Sequence, residues 1–201
     1  MKVRCPSCGR LHSSIIPPTC SCGEPLKVSY DYESVDVSPP WRKRKPGVWR
    51  YRELLPDVEQ IISLKEGGTP LLRAKLGEEL GGFNVFIKDE TRNPTGSFRD
   101  RLTTVAVSYG LSHARNGFVV ASNGNAAASL AAYAARAGRP AYAVVPKLVE
   151  QGGKLNQIVA FGAKLIRYGE SVDEGISYAE GLADGKGGLY NVTPREQPHR
   201  P

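Results

Sequence analysis

Several features are missing from this sequence of 201 residues, and each absence excludes a class of protein. No apolar run approaches the roughly 18 residues that a membrane-spanning helix needs, so no membrane partner is predicted. The first residues carry no apolar core like that of a secretory signal, which predicts a cytoplasmic protein. Internal repeats and low-complexity tracts are also absent. With 40% apolar and 23% charged residues, the composition is ordinary for a globular protein.

Negative charge is comparatively scarce, since 27 lysines and arginines outnumber 20 acidic residues and give a net charge of +7. Much of the excess lies in residues 41–45, which read WRKRK. A solvated linker is the simpler interpretation of such a run. A nucleic-acid contact is the alternative, but it would require more basic and aromatic residues on one face, so no nucleic-acid partner is predicted.

Cysteine is absent after residue 22. The four cysteines before that point form two close pairs, which are Cys5, Cys8, Cys20 and Cys22. A glycine follows each pair and lets the backbone turn so that amides can point at the thiolate sulfurs. The pattern is typical of a zinc ribbon with Zn²⁺ on four thiolates, a closed and therefore structural site. Two disulfides are the alternative, which a reducing cytosol disfavours. His12 could replace one ligand, but four cysteines need no fifth.

The most informative stretch is KDETRNPTGSFRDR, residues 88–101. The apolar run before it, residues 83–87, predicts a buried strand. Residues 93–96 are turn formers, and Ser97 is predicted to cap the helix that follows. One apolar stripe is predicted along that helix, formed by Phe98, Leu102, Val105, Ala106 and Tyr109. The polar loop therefore lies between a strand end and a helix start, where open α/β sheets bind ligands.

Beyond this loop, strand-like and helix-like segments alternate. The predicted strands are 117–121, 141–145, 164–168 and 189–192, and the predicted helices are 125–137, 153–161 and 172–183. Such alternation is typical of a parallel, helix-covered sheet, so the predicted class is α/β. Gly124 lies in the turn before an alanine-rich helix. It exposes the amides at the N-terminus of that helix, which can bind an anion. An ordinary strand-to-helix turn is the alternative for this loop.

Residues 93–101 (NPTGSFRDR) resemble the signature of pyridoxal-phosphate (PLP) enzymes of the tryptophan synthase β-like group, in particular threonine synthases. The segments 49–51 and 67–71 resemble the same family. The resemblance implies PLP fold type II and a lyase that converts O-phosphohomoserine to threonine and phosphate, so the implied partner is a phosphorylated amino acid. A related fold type II enzyme such as cysteate synthase is an alternative.

The resemblance also assigns roles to individual residues. The family lysine that holds PLP as a Schiff base corresponds to Arg99, whose guanidinium stays protonated in proteins and cannot carry the aldimine. Phe98, Arg99 and Asn125 are implied to contact the cofactor. The substrate carboxylate is implied to meet Ser122, Asn123, Gly124, Asn125 and Ala126. Asn123 and Ala126 depart from the hydroxyl residues common at these positions.

The resemblance covers the front portion of the enzyme, and the sequence has no glycine-rich loop for the PLP phosphate. It therefore implies a truncated chain that is inactive alone, completed by a partner chain or a homo-oligomer because a shortened parallel sheet exposes its edge. The predicted organisation is a zinc ribbon (1–30), a linker and docking segment (31–66), the start of the large PLP domain (67–116), a small α/β domain (117–195) and a tail (196–201). The alternatives are a non-catalytic ligand-binding remnant and a zinc-ribbon interaction module.

Overall fold

The computed structural model describes residues 2–12, 20–30, 33, 41–77, 79, 81–113, 115–150, 152–184 and 188–193. The chain divides into two compact units. The first comprises Met1–Lys45, Trp49–Asp57 and Pro194–Pro201, and the second comprises Pro46–Val48 and Val58–Thr193. Residues 31–32 and 34–40 of the predicted linker, and the predicted tail, lie outside the described residues. The predicted domain boundaries stay predictions.

The first unit begins with a small antiparallel sheet. Its strands are β1 (Lys2–Arg4), β2 (Leu11–His12) and β3 (Lys27–Ser29), in the order β2-β1-β3. The turn after the first cysteine pair needs Gly9 at a φ of +72°, a conformation that glycine adopts without strain. The sheet and its turns therefore bring the two halves of the cysteine pattern into one small body.

The basic run is only partly the solvated linker that its composition predicts. Short 3-10 helices cover Trp41–Lys43 and Val48–Leu54. Arg44 forms a salt bridge of 2.6 Å with Glu53, and the ring of Trp41 packs edge-on against that of Tyr51 at 5.1 Å. The run packs within the first unit because its aromatic and acidic partners follow a few residues later.

The second unit contains a two-stranded antiparallel ribbon, formed by β4 (Leu71–Arg73) and β5 (Phe86–Lys88). The strand predicted at residues 83–87 is present only as β5, and the prediction that it is buried is wrong. Leu72 lies opposite Ile87 on one face of the ribbon, Phe86 points to the other face, and these side chains are at least half exposed. Among the described residues no helix or third strand covers the ribbon, so its apolar composition does not lead to burial.

The main sheet of the second unit is parallel, as predicted. Its strands are β6 (Gly117–Ala121), β7 (Ala141–Val145), β8 (Lys164–Arg167) and β9 (Leu189–Asn191), in the order β8-β7-β6-β9. The helices are α1 (Arg99–Ser112), α2 (Asn125–Arg136), α3 (Gly153–Ala160) and α4 (Val172–Asp184). The predicted bounds downstream of residue 116 hold to within one residue. The α/β class is therefore confirmed.

The core lies on both faces of β6. Phe118 and Val120 pack into the larger apolar cluster with α2, whereas Val119 packs into a second cluster with Ala179 of α4. Successive side chains of a strand point to opposite faces, which explains why the whole of β6 is apolar. A Cβ at Gly110 of α1 would lie 2.8 Å from the Phe118 ring, so glycine permits the close approach of that helix.

The predicted apolar stripe of α1 holds only towards the end of the helix, where Tyr109 is buried and Ala106 packs against the core. Phe98 and Leu102 are exposed, and the helix instead buries polar side chains: Asp100, Thr103, Thr104 and Ser108. The predicted cap at Ser97 is also not in place, because the N-cap position is Phe98 and no side chain caps it. The Ser97 hydroxyl instead accepts a 3.2 Å hydrogen bond from the Arg99 N–H.

A ladder of hydroxyl groups explains the polar face of α1. Thr104 donates to the carbonyl oxygen of Ile62 at 2.7 Å, and Ser108 accepts from the N–H of Ile62 at 2.9 Å. One turn later Ser112 accepts from the N–H of Glu59 at 2.8 Å. The segment of residues 59–62 is irregular and belongs to no strand, so the hydroxyls of α1 satisfy its backbone groups. None of the helices in the described ranges is long and apolar enough to cross a bilayer.

Candidate active site

The loop before α1 is a tight turn. The N–H of Gly96 donates to the carbonyl oxygen of Asn93 at 2.8 Å, and Gly96 has a φ of +74°. Pro94 and Gly96 occupy the turn positions that favour these residues, because proline presets φ and glycine tolerates positive φ. The predicted turn at residues 93–96 is therefore confirmed. The turn fixes the direction in which the backbone enters α1 at residue 99.

A buried carboxylate holds the inner side of this turn. Asp100 accepts hydrogen bonds from the Thr95 N–H at 2.8 Å and from the Thr95 hydroxyl at 2.7 Å. Its Oδ1 atom also accepts from the hydroxyl of Ser129, in α2, at 2.6 Å. Asp100 and Ser129 are fully buried. A buried carboxylate needs such donors, since an unpaired buried charge is costly.

A second polar cluster fixes the outer side of the loop. Arg101 forms a two-pronged contact with Glu90, 2.7 Å from each carboxylate oxygen, and the Thr69 hydroxyl donates to the same carboxylate at 2.7 Å. The hydrogen bonds from Arg101 lower the pKa of Glu90 to about 2. Burial opposes this shift, and the hydrogen bond from Thr69 adds to it. Asn93 accepts from the Gly67 N–H at 2.9 Å. Residues 67–71, the GGTPL segment, are thus bonded to the loop that precedes α1.

Arg99 is the first residue of α1 and is half-buried. Its guanidinium carbon lies 4.7 Å from the centroid of the Phe98 ring, within cation–π distance. Thr103, one turn further on, lies within hydrogen-bond distance of the Arg99 carbonyl oxygen, at 3.0 Å. The backbone at position 99 is therefore held, while its side chain extends over an exposed aromatic ring.

The predicted substrate loop joins β6 to α2. Ser122 accepts from the N–H of Gly124 at 3.2 Å, and Gly124 is the N-cap of α2. No side-chain cap is present there, and Asn125, the first residue of the helix, is exposed. Asn123 is also exposed and Ala126 is half-buried. The N–H groups at this helix start can donate hydrogen bonds to an anion.

The two helix starts lie close together. Asp100 is the second residue of α1 and Ser129 lies one turn into α2, and their side chains are hydrogen-bonded. The structure therefore brings the segment of Phe98 and Arg99 near the turn that carries Asn125. Arg99 is a permanent cation, and the start of α2 has amides that no side chain caps, so each can interact with an anion.

The four cysteines form a separate cluster in the first unit. Their ligand sulfurs all lie within 4.8 Å of one another. Cys5 and Cys22 are 3.5 Å apart, and Cys8 and Cys20 are 3.6 Å apart. These distances exceed a disulfide bond of about 2.05 Å, so the described cysteines are free. A hydrogen bond from the Cys8 N–H lowers the pKa of Cys5, and one from the Cys22 N–H lowers that of Cys20 to about 5.

Comparison with known proteins connects this geometry to one family. Residues 62–201 match the family described as pyridoxal-phosphate dependent enzyme. The chain belongs to that family. A threonine synthase from Methanocaldococcus jannaschii is 42% identical over 193 residues, which cover 92% of this chain and 48% of that protein. A threonine synthase from Methanosarcina acetivorans is 36% identical over 184 residues, 90% of this chain and 45% of that protein.

A solved structure agrees with the family assignment. The processed form of threonine deaminase isoform 2 from Solanum lycopersicum superposes with a TM-score of 0.54 at 32% identity, over 61% of this chain and 34% of that one. This member of the PLP-dependent family spans about half the length of the curated relatives it matches. The resemblance to threonine synthases that its motifs predict is thereby confirmed.

The chemistry of position 99 does not fit a covalently held PLP. A Schiff base requires a neutral amine, and Arg99 offers a guanidinium at the position that the family motif gives to lysine. The cysteine cluster, in contrast, fits a metal. Four sulfurs at about 2.3 Å from a tetrahedral Zn²⁺ would be about 3.8 Å apart, close to the separations present.

Sequence reasoning missed the residues that hold the loop. Thr95 and Asp100 lie inside the motif, where the sequence identifies Thr95 only as a turn residue and Asp100 only as a motif position. Ser129 belongs to the alanine-rich helix, and its hydroxyl donates to Asp100. The signal was present in the sequence, since a hydroxyl and a carboxylate on faces otherwise apolar or small require partners.

Proposed function

We propose that this chain is a threonine synthase-like protein that forms no covalent PLP adduct at position 99. The observation that carries the proposal is Arg99, which stands between Phe98 and Asp100 at the first residue of α1. Formation of a Schiff base begins with attack by a neutral amine on the aldehyde, and a guanidinium does not lose its proton. The conversion of O-phosphohomoserine to threonine and phosphate, which the resemblance implies, is therefore not expected from this chain.

The ligand proposed for this site is a phosphorylated amino acid, held without a covalent bond. Arg99 supplies a permanent positive charge, and the first turn of α2 supplies N–H groups that no side chain caps. The proposed lining of the anion site is Ser122, Asn123, Gly124, Asn125 and Ala126. Phe98 and Asn125 are proposed to contact the PLP ring when the cofactor is present. Asn123 and Ala126 depart from the hydroxyl residues common at these positions in the family, so the substrate of a related enzyme, such as cysteate synthase, is the second candidate.

The test is reduction of a PLP complex followed by peptide mapping. Purified protein is mixed with PLP, dialysed, treated with borohydride and digested. We expect no pyridoxyl group on the wild-type peptide that contains residue 99. The Arg99→Lys variant restores an amine there, and we expect an aldimine absorbance band that survives dialysis and a pyridoxyl-lysine at position 99.

The matched control is Arg92→Lys, which makes the same exchange at an exposed arginine just before the loop. It should give no pyridoxyl-lysine at position 92. Two results would overturn the proposal. One is a wild-type chain that carries PLP covalently and turns over substrate. The other is an Arg99→Lys variant without an adduct, because residue 99 would then not be what prevents the bond.

A structural zinc site is proposed for the first unit. The sulfurs of Cys5 and Cys22 and those of Cys8 and Cys20 are separated by 3.5 and 3.6 Å, which supports Zn²⁺ on four thiolates. All four ligand positions would be filled by protein, so the metal would have no open position for chemistry. Thiolates persist in a reducing compartment, which supports a cytoplasmic location.

A partner polypeptide or a second copy of the chain is proposed to cover the β4–β5 ribbon. The ribbon exposes Leu72 and Ile87 on one face and Leu71 and Phe86 on its other face. In the connection between the two strands, Phe83 is 72% exposed. Strands with apolar side chains on both faces are typical of sheets that are covered on both sides.

A further inference from the structure

All three backbone and side-chain polar groups of Thr95 have partners, which is unusual for a turn residue. Its N–H and its hydroxyl both donate to Asp100, at 2.8 and 2.7 Å. Thr95 is only 2% exposed. The carboxylate therefore holds the peptide group that joins Pro94 to Thr95 and fixes the rotamer of the threonine at the same time.

A cation holds the opposite side of Thr95. The ammonium of Lys154, in α3, donates to the Thr95 carbonyl oxygen at 2.9 Å and to the Gln157 side chain at 3.0 Å. This contact joins residues 59 positions apart in the chain. Hydrogen bonds from charged groups are about twice as strong as neutral ones. The peptide group before Thr95 is thus hydrogen-bonded to the Asp100 carboxylate, and the peptide group after it to the Lys154 ammonium.

These contacts connect the turn to both halves of the candidate site. Asp100 follows position 99 directly, so a shift of its backbone moves residue 99 as well. Through Ser129, the same carboxylate is bonded to the helix whose first turn carries Asn125. Successive residues of a helix point about 100° apart, which lets Asp100 face inward while the Arg99 side chain lies over the Phe98 ring.

We propose that Asp100 and Lys154 are positioning residues that set the place of residue 99 relative to the start of α2. Asp100 fixes the turn to α1 and α2, and Lys154 fixes it to α3. Neither residue needs to touch the ligand for this role. The inference concerns the site of the proposed function and depends on it only for the identity of the ligand.

The test is amide hydrogen exchange, measured residue by residue on the full chain without ligand. In Lys154→Met the side chain keeps a similar length but loses its donors. We expect exchange at Thr95 and Gly96 to become about 10-fold faster or more, the factor that a charged hydrogen bond supports. In Asp100→Asn we expect faster exchange at Thr95 and also at Ser129 in α2, whose hydroxyl loses its carboxylate partner.

The controls separate positioning from general stability. Lys154→Arg retains a donor and should restore slow exchange in the turn. Lys147→Met and Asp173→Asn make the matched changes at exposed positions and should leave the turn unchanged. The amides of β6 report global opening. A positioning role predicts that the turn changes far more than β6 does.

Two results would overturn the inference. One is unchanged exchange at Thr95 and Gly96 in Lys154→Met. The other is an increase that is equal in the turn and in β6, because both residues would then act on stability alone. If Asp100→Asn does not fold, exchange in Lys154→Met still tests the inference, because Lys154 is only half-buried. Because no PLP is added, failure of the proposed function leaves this result interpretable.

Discussion

The hydroxyl of Tyr133 donates a 2.7 Å hydrogen bond to the carboxylate of Glu66, and both side chains are almost completely buried. The bond joins the middle of α2 to the residue that precedes the GGTPL segment. Ser63 and the N–H of Leu64 also donate to this carboxylate, at 3.1 and 3.0 Å. Burial, together with the bond to Glu66, raises the pKa of Tyr133 far above its usual value, so the phenol remains a donor.

The first prediction concerns Tyr133→Phe, which removes this donor and leaves the ring. Loss of one donor to a buried carboxylate should lower the free energy of unfolding by about 1–3 kcal/mol. The measurement is urea unfolding followed by the helical circular dichroism signal. Tyr178→Phe is the control, since that half-buried ring stacks on Tyr168 and should change stability by less than about 0.5 kcal/mol. Equal effects of the two variants would contradict the role of the Tyr133 bond.

The second prediction concerns the hydroxyl ladder of α1. Ser108→Ala leaves the buried N–H of Ile62 without its acceptor, because the hydroxyl at 2.9 Å is removed. We expect the free energy of unfolding to fall by about 1–3 kcal/mol, the cost of an unsatisfied buried group. Ser177→Ala on the exposed face of α4 is the control and should be close to neutral. A neutral Ser108→Ala would mean that water replaces the lost partner.

The ladder also marks the boundary of what the sequence could predict. The strands and helices after residue 116 were predictable, because apolar runs of strand length alternate there with helical spacing. The buried face of α1 was not, because its partner is a backbone segment 42 to 53 residues earlier. Periodicity counts apolar residues, and it cannot recognise a helix face that is buried by hydrogen bonding.

The candidate site was predictable in part for a similar reason. The motif placed Arg99 at a helix start and Asn125 in a loop at the start of another helix, and both positions follow from local sequence. The contacts of Asp100 with Ser129 and of Thr95 with Lys154 join distant segments. Local sequence shows that such polar groups need partners, but it does not identify them.

The third prediction concerns the pH dependence of Glu90. Its pKa lies near 2 in the folded chain, below the ordinary value of 4.5, chiefly through Arg101. A lowered folded-state pKa means that the carboxylate stabilises the fold fully above about pH 5 and loses this effect as the pH falls toward 2. The free energy of unfolding should therefore fall less across this window in Glu90→Gln than in the wild type. Glu150→Gln, at an exposed position, should follow the wild-type curve.

The fourth prediction concerns metal in the first unit. We expect one zinc per chain, and we expect chelation to speed amide exchange in residues 2–12 and 20–30 while β6 is unaffected, since binding energy of a structural zinc is folding energy. Cys20→Ser should lower the zinc content, and the cobalt-substituted wild type should show thiolate charge-transfer absorbance. His12→Asn is the control and should retain one metal. Loss of metal in that variant would show that His12 is a ligand, which would contradict the assignment of four cysteines.

The fifth prediction concerns the apolar ribbon. Ile87 lies opposite Leu72 on one face of the ribbon, and both are 50% exposed, so Ile87→Lys places a charge in the middle of that face. We expect the wild type to associate at micromolar concentration and the variant to be more monomeric, because burial of this face drives association. Analytical ultracentrifugation across a concentration series gives the fraction of monomer. Leu148→Lys is the control, because Leu148 is an isolated leucine that is 88% exposed in the turn after β7, and its replacement should leave the association unchanged. A monodisperse wild-type monomer that unfolds cooperatively would show that the ribbon needs no cover.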